Sequence, residues 1–430
     1  MEYIKRAGPT GPEDTKKIRD VVSQIILDIE KNGISAVRKY SEKFDEWNPS
    51  SFRVSDSEIE QAKKTIDSEL ARDIDFAREQ VEKFATLQKE TLRDFSTQTL
   101  PGITLGQKQI PINSVGSYVP GGRYPLIASA IMTIAVPRVA GVRRIVATAP
   151  PQRGVGAINP VQLYAMATAG AHEILSLGGV QALAALAFGI EDIPPVSGVD
   201  MIVGAGNAYV AEAKRQLFGK VGIDLLAGPT EILVIADDMA DPRLLAADLL
   251  GQAEHGPNSP AILITDSKRL ALAVSKEIDK WLATWPTAKT TGEAWNSLGQ
   301  IIVEQDRNEV LRLADEIASE HVEVHAQDWK WFLDNLTNYG SLFIGPNATV
   351  AYGDKGIGTN HVLPTGKAAK YTGGLWVGKF LKTVTWQQVS DEGNRKIAPI
   401  IASVAAAEGM EGHAITARIR VSDVEVHPVQ

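Results

Sequence analysis

The chain has 430 residues, 44% hydrophobic and 22% charged, which is enough apolar material for more than one core and too much for a disordered protein. A formal net charge of −8, from 44 basic and 52 acidic residues, argues against nucleic acid or an anionic membrane as the main partner. Cysteine is absent, which excludes disulfides, thiolate metal sites and cysteine nucleophiles. No apolar run approaches the roughly 20 residues of a membrane span, and the N-terminus lacks a signal pattern, so the cytoplasm is the default location.

From about Asp14 to Phe95 the spacing predicts helices, with Ile18, Val21, Val22, Ile25, Ile26 and Ile29 recurring at helical intervals among charges. Tyr118-Val119-Pro120-Gly121-Gly122 follows as an aromatic leading into a tight turn. Six short β-rich runs come next, Arg144–Ala149, Glu173–Leu177, Met201–Val203, Glu231–Ala236, Ala261–Thr265 and Ile301–Val303, most of them separated by helical stretches rich in alanine and leucine. Near-continuous apolar strands alternating with helices predict parallel sheets covered on both faces, and the run is long enough for two. Gly204-Ala205-Gly206-Asn207-Ala208-Tyr209 follows one strand and opens a helix, so its amides can face a phosphate. As a dinucleotide fingerprint it lacks the third glycine, and no convincing acidic residue ends the next strand. After Thr365 the chain turns glycine- and lysine-rich, then reads as helix from about Thr385 to Glu408 and ends in a β-like tail, Thr416–Val421.

Four segments carry candidate chemistry. In Gln252-Ala253-Glu254-His255-Gly256-Pro257, Gln252 and His255 share one face at a helix end. Imidazole with an amide oxygen suits zinc, while the plainer alternative is a histidine meeting the helix dipole before a Gly-Pro stop. Ser319-Glu320-His321-Val322-Glu323 offers a proton acceptor beside a group able to orient water. Strand neighbours point to opposite faces, so Glu320 and His321 reach one pocket only at a strand end; an exposed polar pair is the simpler alternative. The loop Gly353–Thr365 holds Asp354 and His361 among three glycines, as a ligand-binding loop or a structural turn. In Glu408-Gly409-Met410-Glu411-Gly412-His413, the acid and the histidine would lie about 140° apart on a continuous helix and converge only if a glycine ends it. Four of the seven histidines fall in these segments, which raises a joint metal-and-base site above any segment alone.

Six motifs, YVPGG, GPTEILVIAD, QAEHGPNS, SEHVEV, GTNHVLPT and AAAEGMEGH, occur in the order and spacing found in histidinol dehydrogenases, and the chain resembles that family from about Asp20 to Arg420. The resemblance implies an α/β fold with two incomplete Rossmann-like domains and parallel-rich sheets, plus N-terminal helices and a C-terminal arm exchanged in a homodimer. Residues 1–20 would form an N-terminal arm, 21–105 with 231–365 a discontinuous first domain, 106–230 an NAD-contacting second domain, and 366–430 the dimerisation arm. It further implies one zinc per subunit on Gln252, His255, Asp354 and His413, the last donated across the dimer. His321 would be the general base and Glu320 the group that activates water. Thr230, His361 and Glu408 would contact substrate, and Tyr118, Gln181 and Asn207 would contact NAD. The implied reaction takes a primary alcohol through a bound aldehyde to the carboxylate, with two NAD⁺ reduced.

Departures from the family pattern bear on the substrate. Lys355 stands where an aromatic usually follows the metal aspartate, Trp376 where a small serine is common, Ala128 where a small hydroxyl residue is usual in the loop after Gly122, and Thr230 where serine is usual. A lysine beside the metal site favours an anion by roughly 1–4 kcal/mol at 4 Å, depending on the dielectric, unless it points to solvent. These features resemble the branch of the family that oxidises 2,3-dihydroxypropane-1-sulfonate to sulfolactate, with L-histidinol as the second candidate. A non-catalytic metal- or nucleotide-binding paralogue is the alternative from another class; the intact Glu320, His321 and four metal positions speak against it.

Overall fold

The computed structural model describes residues 1–8, 15–121 and 124–421, so Asp14 and the Gly122 of the expected turn lie outside the described residues. The chain is an α/β protein with parallel-rich sheets. It divides into two units, Met1–Gln88 with Ile112–Phe380, and Lys89–Pro111 with Leu381–Gln430.

The first unit contains two sheets. The six-stranded sheet runs in the order Glu2–Lys5, Gln300–Val303, Ala261–Thr265, Ile232–Ala236, His321–His325, Ser341–Ile344; only the first pairs antiparallel. Its central strands, ILVIA and AILIT, are buried at every residue, as strands covered on both faces must be. The five-stranded sheet is wholly parallel, in the order Glu173–Ser176, Arg144–Ala149, Ser114–Tyr118, Met201–Val203, Gly222–Ile223. Three of the six expected β runs match their strands at both ends and the other three differ by one residue at one end, because each is a short apolar run bounded by polar or glycine-containing turns.

Several expected boundaries differ. Glu2–Lys5, within the expected N-terminal arm, forms the antiparallel edge of the six-stranded sheet. Helices Thr15–Asn32 and Ile34–Asp45, expected with residues 231–365, pack instead on the five-stranded sheet. Their stripe of Val22, Ile25, Ile26, Ile29 and Val37 joins Leu183 and Leu186 of helix Gly179–Phe188 in one buried cluster. Ala128, expected in a loop, is buried in helix Ile127–Ala140.

In the second unit Phe95–Leu100, Ile103–Pro111 and Leu381–Val389 form an antiparallel three-stranded sheet. The helix expected from Thr385 therefore begins at Asp391: Leu381–Val389 mixes β-branched and aromatic residues, and Ser390 caps the helix that follows. The tail expected to be β-like at Thr416–Val421 is overtaken by helix Glu411–Arg418.

Candidate active site

The strand His321–His325 breaks the apolar pattern of its sheet. All five residues are buried; alternation puts Val322 and Val324 on one face and His321, Glu323 and His325 on the other. A polar face inside a core must find partners. They come from helix Pro242–Ala253, which presents Asp248 and Gln252 one turn apart, and from the short helix Val350–Lys355, which carries Asp354.

His321 opens its strand, and Glu320 immediately precedes it, so both reach one site at the amino end of the sheet, where Thr230 and Glu231 lead into the neighbouring strand Ile232–Ala236. Thr230 donates its hydroxyl to Glu320 Oε2, and the Glu231 amide donates to the same oxygen at 3.2 Å. Gln252 Nε2 donates to Thr230 Oγ1, which leaves the Gln252 amide oxygen for another ligand. His321 Nδ1 lies 3.1 Å from the Glu231 carbonyl. A carbonyl only accepts, so this nitrogen carries the proton. In the neutral ring Nε2 is then the lone-pair nitrogen. It is buried, makes no hydrogen bond, and sits 3.4 Å from Asp354 Oδ1.

Electrostatics follow from this burial. Desolvation pushes Glu320 up to about 7 despite His321 and the donated Thr230 hydroxyl. Desolvation opposes the His321 imidazolium, but Glu320 and Asp354 outweigh it and raise the group to about 9. Burial also works to raise Asp354, yet His321, His361 and Lys355 hold its carboxyl below the ordinary value. His255 is shifted down by burial and feels the charges of Asp354 and His321. His361 donates Nδ1–H to the Asp354 carbonyl at 3.0 Å and accepts from Ser129 at 2.9 Å through Nε2. Both its nitrogens are thus used in holding the Asp354 segment.

Gln252, His255 and Asp354 supply an amide oxygen, an imidazole and a carboxylate beside the unpartnered Nε2 of His321. That donor chemistry fits zinc. Asp248, Glu323 and His325 form a second group, with ligand atoms all within 4.8 Å of one another. There the cluster is internally satisfied: Asp248 accepts from Thr349, Glu323 accepts from the Val350 amide, and Glu323 and His325 meet at 3.3 Å. Burial and the adjacent Glu323 push Asp248 up to about 7.

A separate cavity of about 920 Å³ opens at the carboxyl ends of the five-stranded sheet. The chain there starts at Ser114–Tyr118, moves out to one edge, and returns on the other side at Met201–Val203. This is the crevice where open α/β sheets bind ligands. Tyr118, Gln181 and Asn207 all line it. Gly204 (φ +119°) allows the close approach; a Cβ there would lie 2.1 Å from the Tyr118 carbonyl oxygen. Asn207 caps helix Ala208–Leu217 by accepting from the Tyr209 and Val210 amides. Beneath the loop, buried Lys214 pairs with Asp224 and donates to the Gly204 carbonyl at 2.7 Å, while Asp224 accepts from the Gly204 amide. Glycine-led turns, an uncapped helix start at Gly178–Gly179 and open space fit a dinucleotide.

The histidinol dehydrogenase family model matches residues 9–421. The chain belongs to the histidinol dehydrogenase family. It is an NAD-dependent oxidoreductase. A "histidinol dehydrogenase homolog" of Shouchella clausii is 52% identical, with 98% of both chains covered. The sulfopropanediol 3-dehydrogenase of Ruegeria pomeroyi is 46% identical over 98% of this chain and 96% of its own. Among solved structures, the histidinol dehydrogenase of Elizabethkingia anophelis superposes with a TM-score of 0.90 at 32% identity, covering 97% of this chain and 94% of its own.

Of the site residues expected for this family, His321, Glu320, Thr230, Gln252 and Asp354 are brought into mutual contact, with His255 and His361 beside them. Lys355 is exposed and borders a surface groove with Asp73 and Phe76. Glu408 and His413 lie in the second unit, both exposed, where Gly409 (φ +74°) ends helix Asp391–Ala407. Sequence reasoning missed Glu231, Ser129 and Asp45. Glu231 acts through its backbone, and Ser129 sits in an apolar helix. Asp45 comes from helix Ile34–Asp45, and no local motif marks it.

Proposed function

We propose that this enzyme oxidises a small polar primary alcohol through an aldehyde to the carboxylate, using zinc and two NAD⁺, with 2,3-dihydroxypropane-1-sulfonate as substrate and sulfolactate as product. The buried Nε2 of His321, which makes no hydrogen bond and lies beside Asp354 while Gln252 and Glu320 border Nδ1 of the same ring, carries this reading. Zinc would be held by Gln252, His255 and Asp354, with His413 of the partner subunit as the fourth ligand. When bound, the cation would polarise the substrate oxygen, and the nicotinamide would supply the electron acceptor.

The chain's own residues do the rest. The Glu231 carbonyl accepts from His321 Nδ1, and Glu320 and Asp354 favour the imidazolium; with the Asp354 carboxylate engaged by a cation that support would weaken, leaving Nε2 to take the alcohol proton. Glu320, with a carboxyl near neutrality, is suited to take a proton from water as the aldehyde is hydrated. Thr230 bridges Glu320 and Gln252, so it couples the water-activating group to a metal ligand. His361 works through position, because both its nitrogens are taken.

The sulfonate is preferred because a sulfopropanediol 3-dehydrogenase is 46% identical over 98% of this chain. Lys355, exposed and so screened, adds only a weak positive field that Asp354, His255 and His361 feel. L-Histidinol is the second reading, favoured by the fold match to a histidinol dehydrogenase. A homodimer is supported by the exposed apolar side chains Ile400, Ile401 and Val404 of helix Asp391–Ala407 and Met410 just before helix Glu411–Arg418. Among the described residues no helix is long and apolar enough to cross a membrane; the cytoplasm is the proposed location. The test is NADH formation by zinc-loaded protein with each alcohol in turn. Faster turnover of the sulfonate is expected; turnover of histidinol alone would overturn this choice of substrate.

A further inference from the structure

Among the described residues, the cavity at the carboxyl ends of the five-stranded sheet is lined by one carboxylate, and it comes from outside that sheet. Asp45 is the last residue of helix Ile34–Asp45 and reaches the cavity wall beside Tyr118 and Gln181. It is fixed there, since its Oδ2 accepts from the buried Gln181 amide at 2.9 Å. Among the described residues, the charged groups at this wall are Asp45 and the exposed Arg153, which feels the same carboxylate. Around Asp45 the surface is apolar, formed by Val21, Ile25 and Phe44.

Where the cavity lies decides which half of a dinucleotide it takes. None of its described lining residues belongs to the His321 cluster, and the reactive ring must reach that cluster. The cavity therefore takes the adenosine half, with apolar surface for the base and a carboxylate for the ribose. A carboxylate accepts two hydroxyl donors well but repels a phosphate in a half-buried setting. Resting on the NAD-dependent reading above, we propose that Asp45, oriented by Gln181, is the residue that makes this enzyme selective for NAD over its 2′-phosphorylated counterpart.

Arg153 sharpens the prediction. With Asp45 intact, its charge is partly balanced by the carboxylate; with Asp45 neutralised, the guanidinium is free to grip a 2′-phosphate. The test is fluorescence titration of the zinc-loaded full-length protein with NADH and with NADPH, for the native enzyme, Asp45→Asn, Asp45→Ser and Asp45→Asn/Arg153→Gln. The native enzyme is expected to favour NADH. Each single variant is expected to lower the NADH-to-NADPH affinity ratio by roughly tenfold or more, and the added Arg153→Gln change to reverse most of the gain in NADPH binding. Unchanged circular dichroism and melting temperature in at least one single variant make the comparison valid. If native protein binds NADH and both folded variants keep its ratio, the role of Asp45 is overturned while the dehydrogenase reading stands. If native protein binds neither nucleotide, the dehydrogenase reading falls, and this inference with it.

Discussion

His321 has one ring nitrogen committed to the Glu231 carbonyl and the other buried without a hydrogen bond, an arrangement that costs stability unless a ligand uses it. Replacement by asparagine removes the base while keeping a polar side chain. Turnover of His321→Asn is expected to fall by about 10²–10⁴-fold, with zinc content and NADH affinity near native. Retained turnover would remove His321 from the role of base. The same logic separates the two acidic clusters. Asp354→Asn should lower zinc content per chain as measured by elemental analysis, whereas Asp248→Asn should leave it unchanged; the reverse pattern would move the metal to Asp248, Glu323 and His325. At this scale the sequence was informative wherever several motifs pointed to one chemistry, as with Gln252, His255, His321 and Asp354. It was silent where a residue acts through its backbone, as Glu231 does, or where a partner lies far along the chain, as Ser129 does from His361. Lys355 illustrates a different limit: residue type gives a charge, and only the fold shows that this side chain is exposed.

Strand His321–His325 places a reactive histidine at its start and a self-contained acid–histidine group further in. Asp248 in that group has a folded-state carboxyl near 7, well above its ordinary value, because of burial and the adjacent Glu323. The folded protein therefore binds a proton that the unfolded chain releases. This contribution to stability is present below the ordinary carboxyl range and is lost as pH rises from about 4 to about 7. Asp248→Asn should flatten that fall, so its denaturation midpoint is expected to exceed that of the native protein at pH 8 and to approach it at pH 4. A variant less stable at pH 8 would contradict this assignment. Under the Gly204–Asn207 loop, Lys214→Met would leave Asp224 buried without its cation, a loss of about 3–5 kcal/mol that urea denaturation should register. Strands such as ILVIA and AILIT were legible because burial on both faces writes a continuous apolar run. Leu381–Val389 was not, because it is largely exposed and rich in glutamine and threonine; its pairing comes from Ile103–Pro111, nearly three hundred residues away.

For the whole molecule, the proposed exchange of His413 between subunits makes a specific demand. His321→Asn and His413→Asn would each be inactive alone, yet a mixed dimer would contain one site with both native residues. Refolding or co-expressing equal amounts should restore about a quarter of native activity, since half the dimers are mixed and each has one of two sites intact. No recovery would place His413 in the same subunit's site or outside it. The two parallel sheets could be read from the alternation of apolar runs and helices. How the N-terminal helices attach could not, because an amphipathic stripe such as Val22, Ile25, Ile26 and Ile29 states that it must be covered without stating by which sheet. The central claim is that one site carries an alcohol through to the acid, and it is tested most directly by counting NADH formed per molecule of 2,3-dihydroxypropane-1-sulfonate consumed by zinc-loaded protein. Two NADH per alcohol, with sulfolactate as the product, is the predicted result; one NADH with free aldehyde accumulating, or none, would contradict it.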